Sequence, residues 1–295
     1  MFAGVIERAK KGKQRLEVVV GRLLGKLLAH TSVGHGKTPI LIVGCQRSGT
    51  TMLVKVLRRS PQIQVYGEDS KKAFGEGVRV RSEDTLRFLI YLSREPIVVF
   101  KPLNDTQNTD NLLKIHPNAK AIWMYRQFHD VVNSLVEKWG DGQKVHVDEI
   151  STGNYTRLGS NSLGERVSPT NLALVKKLRA KNLSAHDAAA IIWFLRNTIY
   201  FDLKLDANPN VLLCNYEELV TDPAWHFRRV FNFMGCELSS TYFADVFSSS
   251  ILKREAPVID AEIVRLCEGL MNRMNEQYRL QLGFDQANTS FVGSR

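Results

Sequence analysis

Cysteine is scarce: four in 295 residues, at positions 45, 214, 236 and 267, and no two form a C-x-x-C pair. That excludes a disulfide framework and a structural zinc knuckle, and it fits a reducing, cytoplasmic setting. No stretch approaches the ~20 uninterrupted apolar residues of a membrane-spanning helix. The N-terminus is basic but has no apolar h-region, so it does not read as a secretory signal. No internal repeat is present. Acidic residues are outnumbered, 30 against 40 basic, for a net charge of +10. An anionic ligand, substrate or surface follows from that excess, although its sign alone does not choose among them. One further absence is local. The stretch LIVGCQRSGTT (41–51) meets the G-x-x-x-x-G spacing of a phosphate loop with Gly44 and Gly49, yet Thr50 stands where a nucleotide triphosphatase carries its lysine.

The length suits one large domain or two small ones with ample core. Short apolar runs alternate with helical patterns. Strands are expected at Leu41–Val43, 63–66, 97–100, 121–125 and 211–215. Helices are expected at 51–59, 83–93, 108–115, 130–139, 184–205 and 259–282, and one more from a Thr221 cap through Pro223 to Gly235. Continuous apolar strands separated by helices imply an α/β fold: a phosphate-loop-like parallel sheet of about five strands, covered by helices on both faces. Residues 1–38 form a basic N-terminal segment and linker, and 39–295 a single domain. The first 40 residues hold eight basic and two acidic side chains, more than half of the total excess. With apolar residues at helical spacing, they read either as a helix packed on the domain with a solvated basic face or as an amphipathic helix, over about residues 1–30, lying on an anionic membrane. Gly140–Pro169 is rich in Gly, Ser, Asn and Thr. It reads as a long connection, a lid or acceptor-binding element within a variable segment at about 140–181, or as disorder.

A glycine turn leading into a helix points backbone N–H groups at an anion from the positive end of the helix dipole. Ser48, Thr50 and Thr51 add hydroxyl donors, and Arg47 adds a planar fork suited to two oxygens of one anion. A strand that might bear a magnesium-binding Asp ends instead in Arg126. The site therefore suits an anion neutralised by protein cations, and no metal is expected. Eight positions after Arg126 comes Ser134, on the next helix, and the two can converge on one phosphate.

Together these segments resemble the sulfotransferases that use 3′-phosphoadenosine-5′-phosphosulfate (PAPS). In that family an R-S-G-T-T loop, here Arg47, Ser48, Gly49, Thr50 and Thr51, binds the 5′-phosphosulfate. A strand-end Arg with a Ser eight residues later, here Arg126 and Ser134, binds the 3′-phosphate. Gln46 departs from the proline frequent before the loop arginine. The stretch LLCNYEELVTDPAWHFRRVFNFMG is similar to the family's late strand and Y-E-x-L segment, which would bring Tyr216 near the adenine. The resemblance spans about residues 39–255.

The nearest flavour is the tyrosylprotein and bacterial type. SPQIQVYGED resembles the loop carrying a catalytic Glu, which implies Glu68 as acceptor base. FKPLND resembles the segment with a strand-end Lys, which implies that Lys101, with Arg47, stabilises charge on the bridging oxygen and leaving phosphate. Small-molecule enzymes place a His two residues after this Lys, where Leu103 stands here. Lys253 and Arg254 read either as late 3′-phosphate contacts or as a solvated basic turn. The implied activity is transfer of a sulfuryl group from PAPS, as co-substrate, to a hydroxyl of an acceptor of unknown class, with no nucleic-acid partner. The rival readings are a phosphate-loop kinase or triphosphatase, and a non-catalytic basic adaptor for nucleic acid or membrane. Among the histidines, 116, 129, 146, 186 and 226 show no metal spacing and read as structural or surface residues.

Overall fold

Five apolar runs become five parallel strands: β1 (Thr38–Gly44), β2 (Ile63–Tyr66), β3 (Ile97–Phe100), β4 (Lys120–Tyr125) and β5 (Val211–Asn215). Their order in the sheet is β2-β3-β1-β4-β5. Leu41 of β1 is in register with Phe100 on one side and Ala121 on the other. The computed structural model describes residues 36–155, 162–249, 251 and 254–292, with side chains described up to residue 283. The basic segment 1–35 lies outside the described residues.

Successive side chains of a strand face opposite sides of the sheet, and both sides are dry here. Leu41, Val43, Val98, Phe100, Ala121, Trp123 and Leu213 enter one core. Ile40, Ile42, Val99, Ile122, Met124, Leu212 and Cys214 enter the other. Helices α1 (Thr50–Leu57), α8 (Tyr216–Thr221) and α9 (Pro223–Met234) supply Leu53, Leu57, Leu219, Phe227 and Phe231 to the second core. The first core receives side chains from α2 (Glu83–Leu92), α3 (Thr109–Leu112), α4 (Phe128–Trp139), α5 (Gly142–Thr152), α6 (Pro169–Arg179), α7 (Ala185–Asp202) and α10 (Ala261–Val292). Burial on both faces is why the strands read as unbroken apolar runs. Truncating a central side chain such as Ile42 to alanine would cost about 2–5 kcal/mol.

Three helical expectations are corrected. The stretch Gly140–Pro169 is not one featureless connection: α5 occupies Gly142–Thr152 and packs against α6, which starts at Pro169, and on α7. Val147 and Ile150 anchor α5, while Ser168 caps α6 with Pro169 in its first turn. Polar residues at the helix ends and joints mask a short apolar stripe. The cap of α9 is Asp222, which accepts from Trp225 N at 3.2 Å. Thr221 instead completes α8, its hydroxyl donating to Glu217 O. The stretch 108–115 is a single α-turn, α3, followed by a 3₁₀ turn at Leu113–Ile115.

Candidate active site

In a parallel sheet the C-terminal strand ends share one crevice. The phosphate-loop turn opens into it from the end of β1. Gly44 has φ 121°, and a Cβ there would come within 2.2 Å of Met124 O on neighbouring β4. Only glycine lets the two strands close at this point. The buried Thr106 hydroxyl accepts from Gly44 N (3.2 Å) and donates to Gly44 O (3.1 Å), fixing the start of the turn. Arg47 follows with φ 69°, then Gly49 with φ 85°. A Cβ on Gly49 would meet the Tyr216 ring at 2.1 Å, so the ring of Tyr216 lies against the loop. Helix α1 starts at the next residue and directs its free N–H groups back into the turn. Ser48 is fully buried, and its hydroxyl has no hydrogen-bond partner. Burial pushes the Cys45 thiol up to about 12, which leaves it a neutral packing group.

Lys101 follows β3, and its N–H donates to Tyr66 O (3.2 Å), extending the sheet pattern one residue. Its Nζ lies 2.7 Å from Glu68 Oε2 and donates to Thr51 Oγ1 at 2.9 Å. One nearly buried cation therefore joins the carboxylate after β2 to the first turn of α1. The neighbouring Asp69 points elsewhere and pairs with Arg58 at the surface, 3.2 Å away. Gly67 leaves room for that pair, because a Cβ there would crowd Asp69 Oδ1 (2.5 Å) and Arg58 Nη2 (2.7 Å).

On the other side of the turn, Arg126 and Ser134 each have a protein partner. Ser134 Oγ accepts from Arg47 Nε at 2.8 Å. Arg126 is held one turn earlier on α4: its Nη2 lies 2.8 Å from Asp130 Oδ2, and its Nε is 3.8 Å from Glu217 Oε1. Its guanidinium sits 4.5 Å over the Tyr216 ring. Burial pushes the Glu217 carboxyl up, and that side chain also accepts from Gln127 N (3.1 Å). Arg254 pairs with Glu137, one turn beyond Ser134 on α4. Lys253 lies outside the described residues.

Residues 37–255 match the family profile described as a sulfotransferase domain. The chain belongs to the sulfotransferase domain family. Solved structures similar to it include the sulfotransferase domain of the Synechococcus PCC 7002 olefin synthase, at 14% identity, covering 80% of this chain and 94% of that one, with a TM-score of 0.43. A sulfotransferase from Alicyclobacillus acidocaldarius is 16% identical over 83% of this chain and 95% of that one, with a TM-score of 0.43. One from Mycobacterium avium is 12% identical over 88% and 81%, with a TM-score of 0.49. No curated protein sequence matches the chain significantly.

Several supports of this sulfotransferase domain escape sequence reasoning. Thr106 reaches Gly44 from 62 residues away, and Glu217 reaches Gln127 from 90. Only Asp130 carried a local signal, its i, i+4 spacing from Arg126. Leu103 stands where small-molecule enzymes carry a histidine. Its carbonyl accepts from Arg196 Nη1 at 3.1 Å, and burial holds that guanidinium below its ordinary value. Gln46, the departure before the loop arginine, donates to Asn104 Oδ1 at 3.0 Å. Among the described residues no helix is long and apolar enough to cross a membrane.

Proposed function

We propose that this domain moves the sulfuryl group of PAPS to an acceptor hydroxyl by in-line displacement, without a divalent metal. The carrying observation is Lys101 bridging Glu68 and Thr51, which gathers a base, a cation and a loop hydroxyl at one crevice. The loop suits the donor on two further counts. Ser48 has a buried, unpartnered hydroxyl, and the free N–H groups at the start of α1 face the turn.

In this reading the acceptor oxygen forms a bond to sulfur as the bond from sulfur to the 5′-phosphate oxygen breaks. The acceptor proton passes to Glu68, help worth ~10²–10⁴ in rate. Charge growing on the bridging oxygen and the leaving 3′-phosphoadenosine 5′-phosphate (PAP) is met by Lys101, Arg47 and the loop N–H groups. Arg126, Ser134 and the late basic residues Lys253 and Arg254 serve the 3′-phosphate, and Tyr216 the adenine side. Residues 68–77 and the segment 140–181 form the acceptor side.

Transfer of labelled sulfate from PAPS to pools of protein tyrosine, glycan, lipid and small alcohols, in EDTA, tests the assignment. Label in at least one pool is expected. Phosphate transfer from ATP, with none from PAPS, would overturn it.

A further inference from the structure

Three chain segments meet at Asn104. Its Oδ1 accepts from Gln46 Nε2 (3.0 Å), within the phosphate-loop turn, and its Nδ2 donates to Gly77 O (2.8 Å). Gly77 lies at the tip of a small closed loop after Glu68. Gly75 N donates to Arg79 O (2.8 Å) and Arg81 N to Ala73 O (2.9 Å), while Ala73 and Phe74 are buried beneath it. At the tip, Gly77 has φ 63° and Val78 φ 55°. That conformation is costly for a β-branched residue and persists only where neighbours impose it. The neighbours are the same short segment. Asp105 pairs with Arg79 (2.8 Å) and accepts from Val80 N (2.8 Å), and Thr106 brackets Gly44. Residues 104–106 thus grip the turn with one side and the 75–80 tip with the other.

Resting on the PAPS reading above, we propose that Asn104 is a positioning residue that couples the two loops. Filling the turn at 45–51 fixes Gln46, and the Gln46–Asn104–Gly77 bridge then sets the tip of the loop that follows Glu68 in the chain, on the acceptor side of the proposed reaction. Asn104 is suited to this because its two links are single neutral hydrogen bonds, beside the Asp105–Arg79 ion pair that anchors the tip. Each is weak enough to exchange, and each is broken by loss of one amide. Coupling of this kind must be demonstrated by perturbing one site and reading the other.

Amide hydrogen exchange of the full chain, with and without PAP, reads it directly. PAP should slow exchange across residues 73–81 by about two- to ten-fold, the worth of one net hydrogen bond. Asn104→Leu and Gln46→Met each delete one end of the bridge at similar volume. Both should bind PAP as the parent does yet lose the added protection at 73–81. With an acceptor from the transfer assay, both should raise the acceptor KM and leave the donor KM unchanged. Protection retained in both variants would overturn the proposal. So would loss of PAP affinity in both, which would place the residues in donor binding itself. If PAP binds the parent without protecting 73–81, the coupling fails and the donor reading stands. If PAP does not bind the parent, the donor reading has failed first.

Discussion

Lys101 Nζ and Glu68 Oε2 lie 2.7 Å apart, with the lysine nearly buried and the carboxylate one-third exposed. The pair spans the ends of β3 and β2, and the same Nζ reaches Thr51. Glu68 therefore stands between solvent and the turn, where an incoming hydroxyl would meet it. Glu68→Gln keeps the shape and removes the basicity, so turnover should fall by ~10²-fold or more. PAP affinity should change little. Asp69→Asn should stay near normal, because Asp69 serves only an exposed pair with Arg58. Steady-state kinetics on both variants decide the matter; an active Glu68→Gln with an inactive Asp69→Asn would reverse the assignment.

Arg126→Ala should weaken PAP far more than 5′-AMP, by about 1.5–3 kcal/mol for one charge-assisted contact. It should also lower the melting temperature, because Asp130 is then buried without its cation. Adding Asp130→Asn should recover much of the stability and none of the discrimination. Equal loss for both nucleotides, measured by calorimetry, would show that Arg126 only holds the fold.

The two loop glycines should differ in how they fail. Alanine at Gly44 meets a backbone carbonyl of β4, which cannot move without parting the strands. Alanine at Gly49 meets the Tyr216 ring, a side chain and not a strand's backbone, although that ring is buried and the φ remains strained. Gly44→Ala should unfold at lower denaturant than Gly49→Ala, while Gly49→Ala should lose PAP affinity with a smaller stability loss. Urea melts together with calorimetry check the order, and the reverse order would contradict it.

Burial holds the imidazoles of His129, His146 and His226 below the ordinary histidine value. The unfolded chain then binds more protons than the fold between the two values, so stability rises with pH there. It should be lost as pH falls through about 6.5. Asp105, Asp202 and Glu217, pushed up by burial, act in the opposite direction from the carboxylate range upward. Replacing His226, whose Nδ1 lies 2.9 Å from Tyr278 Oη, with Asn isolates one contribution. Thermal melts from pH 8 to 5.5 should show a shallower decline in that variant than in the parent. A parent that gains stability on acidification over this range would contradict the prediction.

How much of this was readable in advance depended on the range of each interaction. Ile63–Tyr66, Ile97–Phe100 and Val211–Asn215 are legible to the residue, as compact apolar runs each ended by a polar or turn residue. The loop Arg47–Thr51 is legible because its chemistry is local. Helices α5 and α6 were obscured because each buries only a narrow stripe, among residues that favour turns. The bond from Arg47 to Ser134 was hidden for a different reason. Spacing along α4 says which residues share a face, but not which arginine from another segment arrives there. Asn104, Thr106 and Glu217 act across long sequence separations, which no local pattern records.

The central claim, a metal-free site for PAPS, meets its most direct test in calorimetric titration of PAPS in EDTA and again in excess magnesium. The account predicts the same saturable one-site binding in both, lost in Arg47→Ala and weakened in Arg126→Ala. Binding that appears only with magnesium, or ATP bound in preference to PAPS, would contradict it.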